Sequence, residues 1–309
     1  MPITLPPISR RRFLGASVAG LTTALLPHHL HAADAALDPH RFALLSDIHI
    51  DADPKFAKSD TNVWNNLQQA SGEILAMSTK PAAVLVNGDL SHHQGRPEDY
   101  ATVIKGLAPM RQGGLTLHLS MGNHDQRDNF WKALPADDSR HNGLPNRQVC
   151  VVEAARANFI MLDSLNITTA GPGLLGPAQI AWLNKTLDAH ADKPAIVFVH
   201  HDPDLRPDDQ KKDPKKKTSG LIDTQAFFDS ILPRKQVKAY VFGHTHDWHH
   251  LQRDGVHFVN LPPTAWLFKA GRPQGWVDLN LTDSGATFEL RCLDTTHPEH
   301  GQKLDLKWR

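Results

Sequence analysis

Short apolar runs that each stop at a polar cluster recur along the chain. Phe42 to Leu45 stops at Ser46-Asp47, and Ala83 to Val86 stops at Asn87-Gly88-Asp89. Leu115, Leu117 and Leu119 alternate with Thr116, His118 and Ser120 before Gly122-Asn123-His124-Asp125. Ala195 to Val199 stops at His200-His201, and Val237 to Phe242 stops at Gly243-His244. Such runs, bounded by glycine and polar residues, predict strands. Between them the period changes. Trp64, Leu67, Ala70, Ile74 and Leu75 predict a helix over 63–77, and a second is predicted over 96–107 from near Pro97. Ile180, Leu183 and Leu187 share one face of a helix over 177–189, and another is predicted over 224–232. Residues 148–152 and 159–163 predict two strands about a turn. Four more strands follow at 248–253, 256–261, 276–281 and 287–292. Residues 122–147 read as irregular. The alternation implies an α/β core closed by antiparallel strands, without internal repeats.

The aperiodic segment 202–220 reads as a surface loop. Its lysine run at 211–217 is either a solvated face or a lure for an anionic substrate, and whether it covers a site is open. The 309 residues are 40% hydrophobic, enough for one large domain or two modest ones. The net charge is zero, which removes any general electrostatic case for a nucleic-acid partner. Cys150 and Cys292 are too few for a disulfide framework or a thiolate metal site, and whether they pair is open. The 20 histidines stand out, because imidazole is the commonest metal ligand.

The first 35 residues read as a leader. Ser9-Arg10-Arg11-Arg12-Phe13-Leu14 precedes a short apolar stretch, and small residues at Ala32, Ala33, Ala35 and Ala36 offer a cleavage site. The order resembles a twin-arginine export signal, which implies the translocation machinery as partner and a periplasmic or extracellular destination. The stretch is too short and interrupted to favour a membrane anchor. Removing it leaves a slightly negative chain.

The polar clusters carry the chemistry. Residues beyond the carboxyl ends of strands line the crevice of an α/β sheet. Five such ends would gather Asp47, His49, Asp89, Asn123, His124, His200, His244 and His246. Asp47 and His49 alternate, as do His244 and His246, so each pair points to one side of an extended chain. Mixed imidazole and carboxylate donors suit Mn, Fe, Zn or Co ions rather than Ca or Mg. Arg127 lies close enough in sequence to clamp a phosphate, or it pairs with Asp125 or Asp128 at the surface. His92, His93 and His201 are candidates to support the site. Trp266 and Phe268 either wall a pocket or pack in the core.

The order D-x-H, G-D, G-N-H-D, H, G-H-x-H resembles the calcineurin-like metallophosphoesterases over roughly residues 41–261. That resemblance implies a four-layer α/β/β/α sandwich, a domain over 40–294 and a short tail at 295–309. It implies two metal ions. One is held by Asp47, His49 and His246, the other by Asn123, His200 and His244, with Asp89 bridging. It makes His124 a general acid oriented by Asp125. Water bound to both ions would deprotonate near neutral pH and attack phosphorus. Two divalent ions, two carboxylates and hydroxide sum to about +1, which favours an anionic ester. Position 92 is His where purple acid phosphatases have Tyr, and Asp89 is followed by Leu90-Ser91-His92 rather than the eukaryotic protein-phosphatase pattern. His200-His201-Asp202-Pro203 looks like the bacterial cyclic-nucleotide and glycerophosphodiester phosphodiesterases. The expectation is therefore hydrolysis of small phosphodiesters. The alternatives are an exported monoesterase or nucleotide hydrolase, and a non-catalytic metal-binding or sensing protein. Oligomeric state is not legible.

Overall fold

The structure, a computed structural model, describes residues 36–134, 143–211, 213, 215 and 217–309. The expected leader, 1–35, lies outside the described residues, as do positions 135–142 of the stretch read as irregular. The elements run β1 (Leu37–Leu45), β2 (Ala57–Lys58), β3 (Thr61–Asn62), α1 (Val63–Leu75), β4 (Lys80–Asn87), α2 (Pro97–Gln112), β5 (Thr116–Ser120) and α3 (Arg127–Ala133). They continue with β6 (Cys150–Glu153), β7 (Asn158–Met161), α4 (Pro177–Ala189), β8 (Ala195–Phe198), α5 (Asp208–Lys211), α6 (Thr224–Ile231) and β9 (Val237–Phe242). The chain closes with β10 (His249–Arg253), β11 (Val256–Asn260), β12 (Gly275–Leu281), β13 (Gly285–Cys292) and β14 (Lys303–Lys307).

Two six-stranded sheets face each other. One has the order β14-β13-β12-β1-β4-β5, the other β10-β11-β9-β8-β7-β6. Within them β1, β4 and β5 run parallel, as do β7, β8, β9 and β11, while the outer strands are antiparallel. Parallel strands covered on both faces need apolar side chains on both. That requirement produces the unbroken hydrophobic runs.

Alternate residues of each strand serve different interfaces. Ala43, Leu45, Val84 and Val86 pack outward on α1, α2 and α3. Their neighbours Phe42, Leu44, Ala83 and Leu85 point between the sheets and meet Phe159, Met161, Ile196, Phe198, Ala239 and Val241. The other residues of the second sheet, Ile160, Val197, Tyr240 and Phe242, pack outward on α4 and α6. Three apolar layers separate four layers of secondary structure, an α/β/β/α sandwich. Strands β1, β4, β5, β8 and β9 all end at one edge of it, which brings their following loops together.

Two differences from the sequence expectation matter, and one open question is answered. Helix α3 begins inside the segment read as irregular. Gln126 caps it by accepting from the Asn129 backbone N–H at 2.7 Å. Residues 295–309 are not a tail: β14 pairs antiparallel with β13 and forms a sheet edge, burying Leu306 between the sheets. The strand was hidden because only Leu304 and Leu306 of its five residues are apolar, and the three between and around them are exposed and charged. Cys150 and Cys292 are both free and buried. Leu306→Ala is expected to cost about 2–3 kcal/mol of stability in urea denaturation. An unchanged midpoint would show that β14 is not part of the cooperative fold.

Candidate metal centre

The loops after β1 and β4 run side by side, with His49 N–H donating to the Asp89 carbonyl at 2.9 Å and Ile50 N–H to that of Leu90 at 2.9 Å. The loop after β9 crosses from the second sheet, and the His244 N–H faces both Asp47 carboxylate oxygens at 3.2 Å. His124 N–H donates to Asp89 Oδ1 at 2.8 Å. The backbone is bent hard here. Asp47, His49, Asp89, His244 and His246 all have positive φ, between 45° and 66°. Left-handed backbone is unfavourable for residues with a Cβ, and it clusters at functional sites. These turns aim five side chains inward.

The side chains form three groups with ligand atoms within 4.8 Å of one another: Asp47, His49 and His246; His49, Asp89 and His124; and Asp89, His200 and His244. Asp89 Oδ2 stands between two of them, 3.4 Å from His49 Nε2 and 3.3 Å from His200 Nε2. His246 Nε2 lies 3.4 Å from Asp47 Oδ1. Apart from His124 and His244, these residues are almost fully buried.

The proton positions reveal what the pocket is built for. His49 Nδ1 faces the His92 carbonyl at 3.2 Å, His200 Nδ1 the Asn87 carbonyl at 2.9 Å, and His246 Nδ1 the Trp266 carbonyl at 2.5 Å. A carbonyl only accepts, so each Nδ1 carries a hydrogen and each Nε2 faces the centre, where a deprotonated Nε2 offers its lone pair to a metal. His49 Nε2 and His246 Nε2 then confront each other at 3.1 Å. His200 Nε2 and the Asn123 side-chain oxygen are buried with no hydrogen-bond partner among the described residues. Buried lone pairs facing lone pairs and carboxylates are unfavourable unless cations sit among them. The donor set therefore fits metal ions.

A family model for calcineurin-like phosphoesterases matches residues 40–248, more than half of the chain. The chain belongs to the calcineurin-like phosphoesterases. It is similar to a 3′,5′-cyclic-nucleotide phosphodiesterase of Nostoc, with 26% identity over 232 residues covering 75% of this chain and 81% of the relative. It is also similar to the 3′,5′-cyclic adenosine monophosphate phosphodiesterase CpdA of Pseudomonas aeruginosa, with 26% identity over 227 residues covering 74% and 77%. Among solved structures, a dimetal phosphatase from Danio rerio shares the fold, with a TM-score of 0.66 at 13% identity, covering 88% of this chain and 100% of that one. The chain is thus a metal-dependent hydrolase of phosphate esters.

Two residues of this phosphoesterase are placed differently from expectation. Arg127 is not offered to a phosphate. Its guanidinium grips buried Asp163, with Nε 2.7 Å from Oδ2 and an Nη 2.8 Å from Oδ1, and it also donates to the Leu165 carbonyl. Asp125 does not touch the His124 ring. Its carboxylate accepts from the backbone N–H groups of Leu90, Ser91 and Gly122 and from the Tyr100 hydroxyl. It ties the β4 and β5 loops together, and the His93 carbonyl faces His124 Nδ1 instead, at 3.1 Å. His92 and His93 serve through their carbonyls, which carry no mark in a sequence. His201 is fully buried beside Ser164, 2.7 Å from its hydroxyl, behind His200. Ser46, not singled out by sequence, donates to Asp47 Oδ2 at 2.5 Å. Trp266 is buried against His49 and His246, while Phe268 is exposed.

In the metal-free protein the charges are unevenly placed. Burial raises the Asp47 carboxyl, but His200 and the hydrogen bond from His246 outweigh it and hold it at about 2. Burial drives His49 down to about 3 and, helped by the His200 charge, His244 to about 4. His200 moves the other way. Burial lowers it, but Asp89 and Asp47 more than compensate and raise it to about 10.

A Cβ at Gly122 would collide with the Asp89 carboxylate and the His200 ring. Gly122→Ala is expected to weaken metal affinity about 10–100-fold with the circular dichroism spectrum unchanged. Full metal content at wild-type affinity would contradict this. Because His200 holds its proton below about pH 10 and a metal ligand must release it, ion and proton compete. Affinity for the ion at His200 should fall about tenfold for each pH unit lowered through neutrality, in chelator-competition titrations. A flat profile would contradict the assignment of His200.

Proposed function

We propose that this phosphoesterase cleaves small phosphodiesters, cyclic nucleotides among them. In this reading Asp47, His49 and His246 hold one ion, Asn123, His200 and His244 the other, and Asp89 is shared. The mixed nitrogen and oxygen donors suit Mn, Fe, Zn or Co. When bound, the ions neutralise charge at phosphorus and generate the nucleophile from water.

The observation that carries the diester reading is the commitment of Arg127 to Asp163. Without that guanidinium the centre keeps the charge of about +1 counted above. A monoanionic diester neutralises it, whereas a dianionic monoester exceeds it. The names of the Nostoc and Pseudomonas relatives point the same way.

His124 handles the proton. Its Nδ1–H is anchored by the His93 carbonyl, and one of its ring nitrogens lies within 4.8 Å of ligand atoms of His49 and Asp89. That leaves Nε2 to protonate the departing oxygen. Asp125 ties together the loops that carry Asp89 and Asn123, and Thr169 N–H donates to the Asn123 backbone carbonyl at 2.7 Å.

We also propose export through the twin-arginine route. Strand β1 begins at Leu37, beyond the expected cleavage region at 32–36, so removing the leader spares the described fold.

Hydrolysis of an aryl phosphodiester and of the matching monoester by metal-loaded protein tests the substrate reading. The diester is expected to be preferred, with activity lost on chelation. His124→Ala should lower kcat about 10²–10⁴-fold for poor leaving groups and far less for nitrophenolate, with metal content retained. Faster monoester turnover would favour the phosphomonoesterase or nucleotide-hydrolase reading. Equal losses for both leaving groups would contradict the role of His124 as acid.

A further inference from the structure

The segment after β11 is fastened to the centre. Thr264 N–H donates to the Ser46 carbonyl at 3.0 Å and Ala265 N–H to the Asp47 carbonyl at 3.0 Å. At the next residue, the Trp266 carbonyl holds His246. This anchoring sets two aromatic rings beside the proposed metal ligands, and their surroundings differ. The Trp266 ring is occupied: His49 lies against it at 4.4 Å and the Lys58 ammonium, carried by the β2–β3 hairpin, stands 3.9 Å from its centroid.

Phe268 is different. It stacks on the His246 imidazole with ring centroids 4.0 Å apart and planes inclined by only 7°. One face is therefore covered, yet the residue is 61% exposed. The exposure belongs to the edge and the other face. A large apolar ring held at a fixed tilt one imidazole away from a metal-binding pocket, with a face open to solvent, is a poor use of hydrophobic surface unless something flat covers it.

We propose that Phe268 is a stacking platform that selects phosphate esters carrying a planar aromatic group, such as a nucleobase. The phosphate lies at the metal centre, and the planar group lies on the outer face of Phe268. The parallel stack on His246 fixes the plane in advance, so the substrate alone is ordered on binding. Discrimination then comes from the alcohol part of the ester, while the phosphate chemistry stays with the ions and His124. The proposal rests on the phosphodiester reading above and adds which diesters are favoured.

The test compares adenosine 5′-monophosphate with ribose 5-phosphate, which present the same phosphate with and without a base. Their binding to metal-loaded wild type, Phe268→Ala and Phe268→Trp is measured by calorimetry, with metal content determined for each protein. Wild type should prefer the nucleotide. Phe268→Ala should weaken the nucleotide about tenfold and leave ribose 5-phosphate unchanged, and Phe268→Trp should restore the preference. Equal binding of the two ligands by wild type would overturn the platform. So would equal weakening of both by Phe268→Ala, or loss of metal from that variant, which would make Phe268 only a cover for His246. Failure of the wild type to cleave diesters while still preferring the nucleotide would refute the diester reading and leave the platform standing.

Discussion

Two carboxylates and the Nε2 atoms of several imidazoles point at one another in a largely buried pocket. The described residues satisfy them only in part. His49 and His246 oppose like atoms, and His200 Nε2 and the Asn123 side-chain oxygen have no hydrogen-bond partner among the described residues. Backbone carbonyls at Asn87, His92 and Trp266 hold the Nδ1–H of each ring and leave Nε2 facing the centre. The same arrangement that is unfavourable for the empty chain is a pre-formed cage for cations. Five ligand candidates adopt left-handed backbone to build it, and the rigid double sheet keeps them there.

Much of this was legible in the sequence because parallel strands buried on both faces must be apolar throughout. Their ends are therefore sharp, and a polar cluster at such an end is conspicuous. The loops after β1, β4, β8 and β9 were found that way, and the loop after β5 by the alternation of its strand. Short or exposed elements gave no such contrast. Helix α3 has seven residues and starts within a polar motif. Strand β14 has a single well-buried position, Leu306.

Roles within the site were less legible than membership of it. Asp125 and Arg127 sit in the same motif as Asn123 and His124, yet both face away from the ring and the ions. Asp125 serves three backbone N–H groups and a tyrosine hydroxyl, and Arg127 serves Asp163. Side-chain direction depends on how the β5 loop turns into α3, and residue type does not encode that turn. Carbonyl partners leave no trace at all, so the importance of His92, His93 and Trp266 as backbone acceptors emerged only from coordinates. In the proposed division of labour, ions and His124 serve the phosphate, while Phe268 meets the remainder of the ester.

Anomalous diffraction from crystals of the metal-loaded protein decides whether the seven ligand candidates form one cage. Two peaks about 3.5–4 Å apart are expected. Asp89 should lie between them, with Asp47, His49 and His246 around one and Asn123, His200 and His244 around the other. A single peak, or ions bound away from Asp89, would contradict the binuclear reading.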